Sequence, residues 1–286
     1  MTDGSEAHKV LFCQTFIETH RVFEPAALPW PTLDATSIDR LRSIPFWDVA
    51  LRAERNAGVM VSRFAETLGD PLIRRAMAMQ GVEETRHGRL LETMLSVYGI
   101  PVAPEGSGTI DVSERAFIDF GYEECIDSFL GFGIFGLARQ IQIFVPELTD
   151  IFEYVLLEEA RHITFFVNWI AYERACRKMV PPVVAAATAL GYLRAVRRIV
   201  TTFQPGAQGN RVKGVGFAAE GAFEIFNGIT WRAFLQSCVD ESDRYLSVMD
   251  PRLLRPRVLP TLARLALKLP SFGRRNASGT SGLATN

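Results

Sequence analysis

From about residue 44 the apolar and polar positions of the chain repeat with the period of an α-helix. Trp47, Ala50, Leu51, Glu54, Ala57, Gly58, Val61 and Ala65 share one stripe, which predicts a first amphipathic helix. Gly69-Asp70-Pro71 then supplies a stop, an N-cap and a first-turn proline in consecutive positions. A second helix follows to about Tyr98, with Ile73, Ala76, Met77, Glu84, His87, Leu91 and Met94 on its stripe. Two long helices joined by so short a turn must pack antiparallel.

Gly99 to Gly108, rich in proline and glycine, reads as a longer crossover. Asp111 and Glu114 have the spacing of a capping box and open a third helix that extends to about Ile143. Its middle, Gly131 to Gly136, holds three glycines. Each costs a helix interior about 1 kcal/mol relative to alanine, so the run points to close helix packing or a cavity. Pro146 marks the next turn, and a fourth helix runs to Lys178 with Leu148, Phe152, Val155, Glu159, His162, Phe166 and Ile170 on its stripe. Hairpin, crossover, hairpin over residues 44–180 predicts an all-α four-helix bundle. Val183–Phe203 and Gly214–Met249 predict further helices, in a C-terminal extension (181–270) packed on the bundle, before a tail (271–286) whose end is small, polar and expected to be disordered. Residues 1–43 stay unassigned: Val10 to Ile17 fits helix or strand and precedes a proline-containing stretch, Pro25 to Pro31.

Composition narrows the classes. A chain of 286 residues with 48% apolar content builds a sizeable core, and a net charge of −1 favours neither nucleic acid nor a membrane surface. The most apolar stretch, Val183 to Phe203, is interrupted by Arg194, Arg197 and Arg198, short of the roughly 20 apolar residues a bilayer span needs. Asp3, Glu6 and Glu18 near the start argue against a secretory signal. Cys13, Cys125, Cys176 and Cys238 are scattered, with no paired spacing, and fit reduced thiols of a cytoplasmic protein.

The chemistry is concentrated in two matching pentapeptides, Glu83-Glu84-Thr85-Arg86-His87 and Glu158-Glu159-Ala160-Arg161-His162. A carboxylate and an imidazole three residues apart lie on one helical face and can grip one metal ion. Both pairs, Glu84/His87 and Glu159/His162, sit on core-facing stripes, where an unpaired charge would cost several kcal/mol and a dication removes that cost. Glu54 is the one acid on the first helix's apolar stripe. It precedes Glu84 by 30 residues (84 − 54), with the turn almost midway, so both reach one level. On the third helix Glu124 shares a face with Phe117, Gly121, Ser128, Gly131 and Phe135; Glu123 and Asp127 stand as alternatives. His8 and His20 carry no ligand-like spacing.

A Glu on each of two helices with Glu-x-x-His on each of the other two resembles the ferritin-like di-iron carboxylate arrangement. The fuller (Asp/Glu)-Glu-x-Arg-His form is similar to that of bacterial di-iron monooxygenases, and Glu124 to Phe132 resembles the ligand helix of ribonucleotide reductase small subunits. The resemblance covers about residues 45–180. It implies two iron ions, with manganese or a mixed pair also accommodated. Glu54, Glu84 and His87 would hold one ion, Glu124, Glu159 and His162 the other, with at least one bridging glutamate. Glu83, Arg86, Glu158 and Arg161 would orient the imidazoles. The implied function is an O2-dependent oxidoreductase that hydroxylates, N-oxygenates or desaturates a small or carrier-bound acyl substrate. An external ferredoxin or reductase would supply electrons, since no flavin or nicotinamide motif is present. The alternatives are a ferritin-like ferroxidase or a radical-generating subunit. The latter family places a tyrosine seven residues after the second-helix ligand, where this chain has Leu91.

Plainer readings stand beside these. Glu83, Arg86, Glu158 and Arg161 could be surface ion pairs contributing less than about 1 kcal/mol each. Glu54 could be a buried partner of an arginine. The acid-free stretch 252–275 is either a solvated face or a peripheral contact with a membrane surface or acidic partner, and a homodimer is a further option.

Overall fold

The computed structural model describes residues 2–44, 47–102, 109–202 and 229–269. Among them all regular structure is helical. The Val10–Ile17 run lies in a helix, α1 (Glu6–Glu18), started by Ser5, whose hydroxyl accepts the His8 N–H; Phe12, Cys13 and Phe16 are buried against the bundle. A 3-10 turn at Pro25–Ala27 and a short helix the periodicity did not announce, α2 (Ala35–Ser43), complete the N-terminal segment.

The first hairpin is α3 (Trp47–Thr67) and α4 (Pro71–Val97), with the Asp70 carboxylate accepting the Leu72 and Ile73 N–H groups. The two helices approach closely at reciprocal glycines. A Cβ on Gly58 would lie 2.9 Å from the Thr85 backbone nitrogen, and one on Gly81 2.8 Å from that of Ser62. This contact sets the register that brings Glu54 beside the Gly88 turn of α4.

The second hairpin is α5 (Glu114–Gln140) and α6 (Pro146–Cys176). The start of α5 differs from the expected capping box. Ser113 is the N-cap, accepting the Ala116 N–H at 3.2 Å, because the Asp111 carboxylate is already engaged by the Ser113 N–H at 2.9 Å. Glu114, now the first helical residue, pairs with Arg177 instead. Gly121 lets α6 approach, with the Phe166 ring against it.

Beyond the hairpins, α7 (Pro181–Thr202), α8 (Trp231–Ser247) and α9 (Val258–Lys268) form a further layer. The N-terminal half of α5 carries α7, through Gly191 against Tyr122 and Arg194 with Asp119 at 2.7 Å. The C-terminal half carries α8, whose Cys238 backbone nitrogen would lie 2.9 Å from a Cβ on Gly133. Gly136 meets Glu241 of the same helix. Two of the three glycines in the run are thus packing glycines, whereas Gly131 has nothing within 4 Å of its Cβ position. Residues 214–228 of the expected Gly214–Met249 helix, and the tail, lie outside the described residues.

A buried polar clip ties both ends of the chain to α6. Asn168 bonds His8 Nε2 at 2.8 Å and also meets both backbone groups of Leu254, accepting the N–H at 2.9 Å and donating to the carbonyl at 3.0 Å. The basic segment is largely used internally. Arg255 donates to the carbonyls of Met249, Asp250 and Leu253, Arg252 pairs with Asp250, and Arg264 with Asp243. Arg274 and Arg275 lie outside the described residues. Among the described residues no helix is long and apolar enough to cross a membrane. All four cysteines are free thiols; Cys13, Cys125 and Cys238 are buried and Cys176 is exposed.

Candidate metal centre

The pentapeptides of α4 and α6 face each other across the bundle, with the His87 and His162 rings 5.5 Å apart. Glu84, His87, Glu159 and His162 each offer a ligand atom, and these atoms lie within 4.8 Å of one another. The carboxylates are shared. Glu84 places Oε1 3.1 Å from His162 Nδ1 and Oε2 3.8 Å from His87 Nδ1. Glu159 does the converse, with Oε1 3.0 Å from His87 Nδ1 and Oε2 3.7 Å from His162 Nδ1. Each glutamate therefore stands between the two imidazoles, nearer to the histidine of the other motif.

Glu54 of α3 reaches the same cluster, Oε2 lying 3.5 Å from His87 Nδ1. On α5 the three acids separate. Glu123 is drawn to α7 by Arg198 at 2.5 Å, and Asp127 is exposed but still feels Glu159 and Glu54. Glu124 turns inward to Glu159 and feels Glu84 and Glu54 as well. Two polar side chains that the motif spacing did not single out also touch the carboxylates. Gln80 Nε2 donates to Glu84 Oε1 at 3.1 Å, and the Ser128 hydroxyl donates to Glu159 Oε2 at 3.4 Å. Gln80 was readable, since it lies one turn before Glu84 on the same buried stripe.

The remaining charged residues of the pentapeptides are not on the surface: Glu83, Arg86, Glu158 and Arg161 are all buried. Their pairing crosses between helices. His87 Nε2–H donates to Glu158 at 2.9 Å and His162 Nε2–H to Glu83 at 2.8 Å. Arg86 pairs with Glu158, and Arg161 with Glu83 at 2.6 Å. Each imidazole is thereby held by the acid of the opposite motif, with its Nδ1 aimed at the carboxylates. Residues 16–23 strap this side of the bundle. The Phe16 ring covers the Arg161 guanidinium at 4.4 Å and Phe23 covers that of Arg86 at 4.2 Å. Arg161 also donates to the Phe16 carbonyl and the Thr19 hydroxyl, and His20 Nδ1 lies 2.5 Å from Glu83. His20, unremarkable by spacing, is placed here by a loop that carries no period.

The electrostatics are those of crowded buried acids and bases. Burial alone would push His87 down, but Glu158, Glu159 and Glu54 outweigh it and hold the imidazole well above its ordinary value. His162 is raised likewise against burial by Glu84, Glu159 and Glu83. Burial, opposed by His87 and reinforced by Glu159 and Glu84, takes Glu54 up to about 7. Glu124 is raised well above the carboxylate range by burial and then by Glu159 and Glu84.

Hydrogen bonding does not satisfy this cluster. Nδ1 of His87 and Nδ1 of His162 are buried and make no hydrogen bond, although carboxylate oxygens lie 3.0 and 3.1 Å away. The oxygens stand off the line of a ring N–H, so a proton on Nδ1 is poorly shared. A cation lying among lone pairs needs no such line. Glu84, His87, Glu159 and His162 could together hold a metal ion. Comparison of the chain with protein-family models, with characterised proteins and with solved structures finds no match.

Proposed function

We propose that this chain is a ferritin-like di-iron protein of the O2-dependent oxidoreductase kind. The observation that carries the reading is the pair of orphaned Nδ1 atoms, each converging with oxygens of both Glu84 and Glu159. Glu84, His87, Glu159 and His162 would hold the iron, with Glu54 and Glu124 as further carboxylates beside it. An iron pair so held supplies electrons to dioxygen, and with them the capacity to hydroxylate, N-oxygenate or desaturate a substrate. The protein's own groups set the stage. Glu83 and Glu158 fix the imidazole orientation and keep the Nε2 hydrogens engaged. The 16–23 strap excludes water from the histidine side, where both rings and Glu84 are at most 1% exposed, whereas Glu54 keeps 23% of its side-chain surface and Glu159 12%. Substrate and dioxygen would therefore enter from the side of Glu54 and Glu159, and the electrons would come from an external donor.

The test is anaerobic loading with ferrous iron, metal analysis, then exposure to air with an optical spectrum. About two irons per chain, with a new near-ultraviolet absorption absent from Glu84→Ala and His162→Ala, supports the reading. Iron uptake continuing far beyond a pair moves the function to ferroxidase and storage. No metal in either oxidation state rejects it.

A further inference from the structure

Around the two acids that hold the imidazoles, the halves of the centre repeat each other except at His20. Glu158, which holds His87, receives two donors among the described residues: His87 Nε2–H and Arg86. Glu83, which holds His162, receives three: His162 Nε2–H at 2.8 Å, Arg161 at 2.6 Å and His20 at 2.5 Å. The arginines are equivalent in charge, and both are capped by a phenylalanine of the strap. Glu83 is a fully buried carboxylate paired with Arg161 and accepts only, so His20 Nδ1 carries the hydrogen of this bond.

A carboxylate's basicity is divided among its donors. Each added donor withdraws electron density and leaves less for the others, as the lowered proton affinity of multiply bonded carboxylates demonstrates. An imidazole whose Nε2–H faces a weaker acceptor is itself a weaker donor at Nδ1. Among the described residues the carboxylates differ as well: His87 Nδ1 has Glu54, Glu84 and Glu159 within 4 Å, and His162 Nδ1 has Glu84 and Glu159.

Resting on the two-metal reading, we infer that His20 is a positioning residue that makes the two metal positions inequivalent. Through Glu83 it weakens His162 as a ligand, so that the ion beside His162 is the more loosely held and exchangeable of the two. The strap that seals the site thus also tunes it.

The experiment separates the halves, because two adjacent dications bind in unequal steps whatever their ligands. Manganese(II) is titrated calorimetrically into His87→Ala, which leaves the His162 position, and into His162→Ala, which leaves the other. The first is expected to bind about tenfold more weakly, the low end of effects seen for groups that support a metal ligand. Adding His20→Phe, which keeps the plug and removes the donor, should tighten binding several-fold in His87→Ala and leave His162→Ala unchanged. His20→Asn, whose amide can replace Nδ1–H, should restore the weaker value. A second readout avoids the alanine backgrounds. In zinc-loaded full-length protein, the His162 Nε2–H proton resonance should move downfield in His20→Phe as its bond to Glu83 strengthens, and return in His20→Asn. Equal affinities in the two backgrounds, or an unmoved His162 resonance, overturn the inference while leaving the metal reading intact. Failure of the otherwise wild-type chain to bind manganese or zinc overturns both.

Discussion

Glu158 of α6 accepts the Nε2 hydrogen of His87 of α4 at 2.9 Å, so the imidazole of one pentapeptide is oriented by the acid of the other. The same exchange runs from Glu83 to His162. The two motifs are therefore one interlocked unit, which explains why each carries an acid and an arginine beyond the Glu-x-x-His pair.

Substituting Glu158→Gln keeps the shape but removes the charge that Arg86 and His87 share. Metal affinity should fall about 10–100-fold, since groups that orient a ligating imidazole contribute that much. Competition against a chelator of known affinity measures it. An unchanged affinity would reduce Glu158 to a structural ion-pair partner.

Gly58, at the α3–α4 approach, and Gly131 of α5 carry opposite predictions. Gly58→Ala would press a methyl against the Thr85 backbone and should cost about 1–3 kcal/mol by overpacking. It should also lower metal occupancy, because pushing α3 outward withdraws Glu54 from His87. Gly131→Ala meets nothing within 4 Å and should be neutral or stabilising by up to about 1 kcal/mol from helix propensity. Urea midpoints and metal counts on both variants check the contrast.

The Asn168 clip predicts coupling between distant ends of the chain. Asn168→Leu strands His8 Nε2 and both backbone groups of Leu254, and each buried polar group left unpaired costs about 1–3 kcal/mol. Hydrogen exchange should accelerate at both α1 and Leu254. Acceleration at one end alone would show that the clip does not join them.

Docking of α8 on α6 should weaken in acid. Burial would raise Glu153, but hydrogen bonds from Arg244 at 2.8 Å and Tyr245 at 2.6 Å outweigh it and hold the carboxyl below its ordinary value. A carboxyl depressed by folding contributes stability above its unfolded pKa and loses it as pH falls through the folded one. Between about pH 7 and pH 3 the wild type should therefore lose more stability than Glu153→Gln, whose difference from wild type should vanish at the acid end. Urea denaturation of the pair at both ends of the range measures this, and a constant difference would remove Glu153 from the acid response.

Helix order, both hairpins and the placement of Glu84, His87, Glu159 and His162 were legible in the chain because helical periodicity is local. A residue's face follows from its neighbours three and four positions away, and Asp70-Pro71 and Pro146 mark the turns chemically. Glu54 was legible for the same reason, as a charge on an apolar stripe. Sharing of each carboxylate between both imidazoles and the crossing of Glu83 and Glu158 to the opposite histidine were not. They depend on register between helices, which the Gly58–Thr85 and Gly121–Phe166 contacts decide to within a fraction of a turn. The N-terminal segment was least legible, and it holds Phe16, His20 and Phe23 over the site. Its ordering comes from what α4 and α6 present to it, two buried guanidiniums and a carboxylate. A loop with no period of its own takes its conformation from the surface it covers.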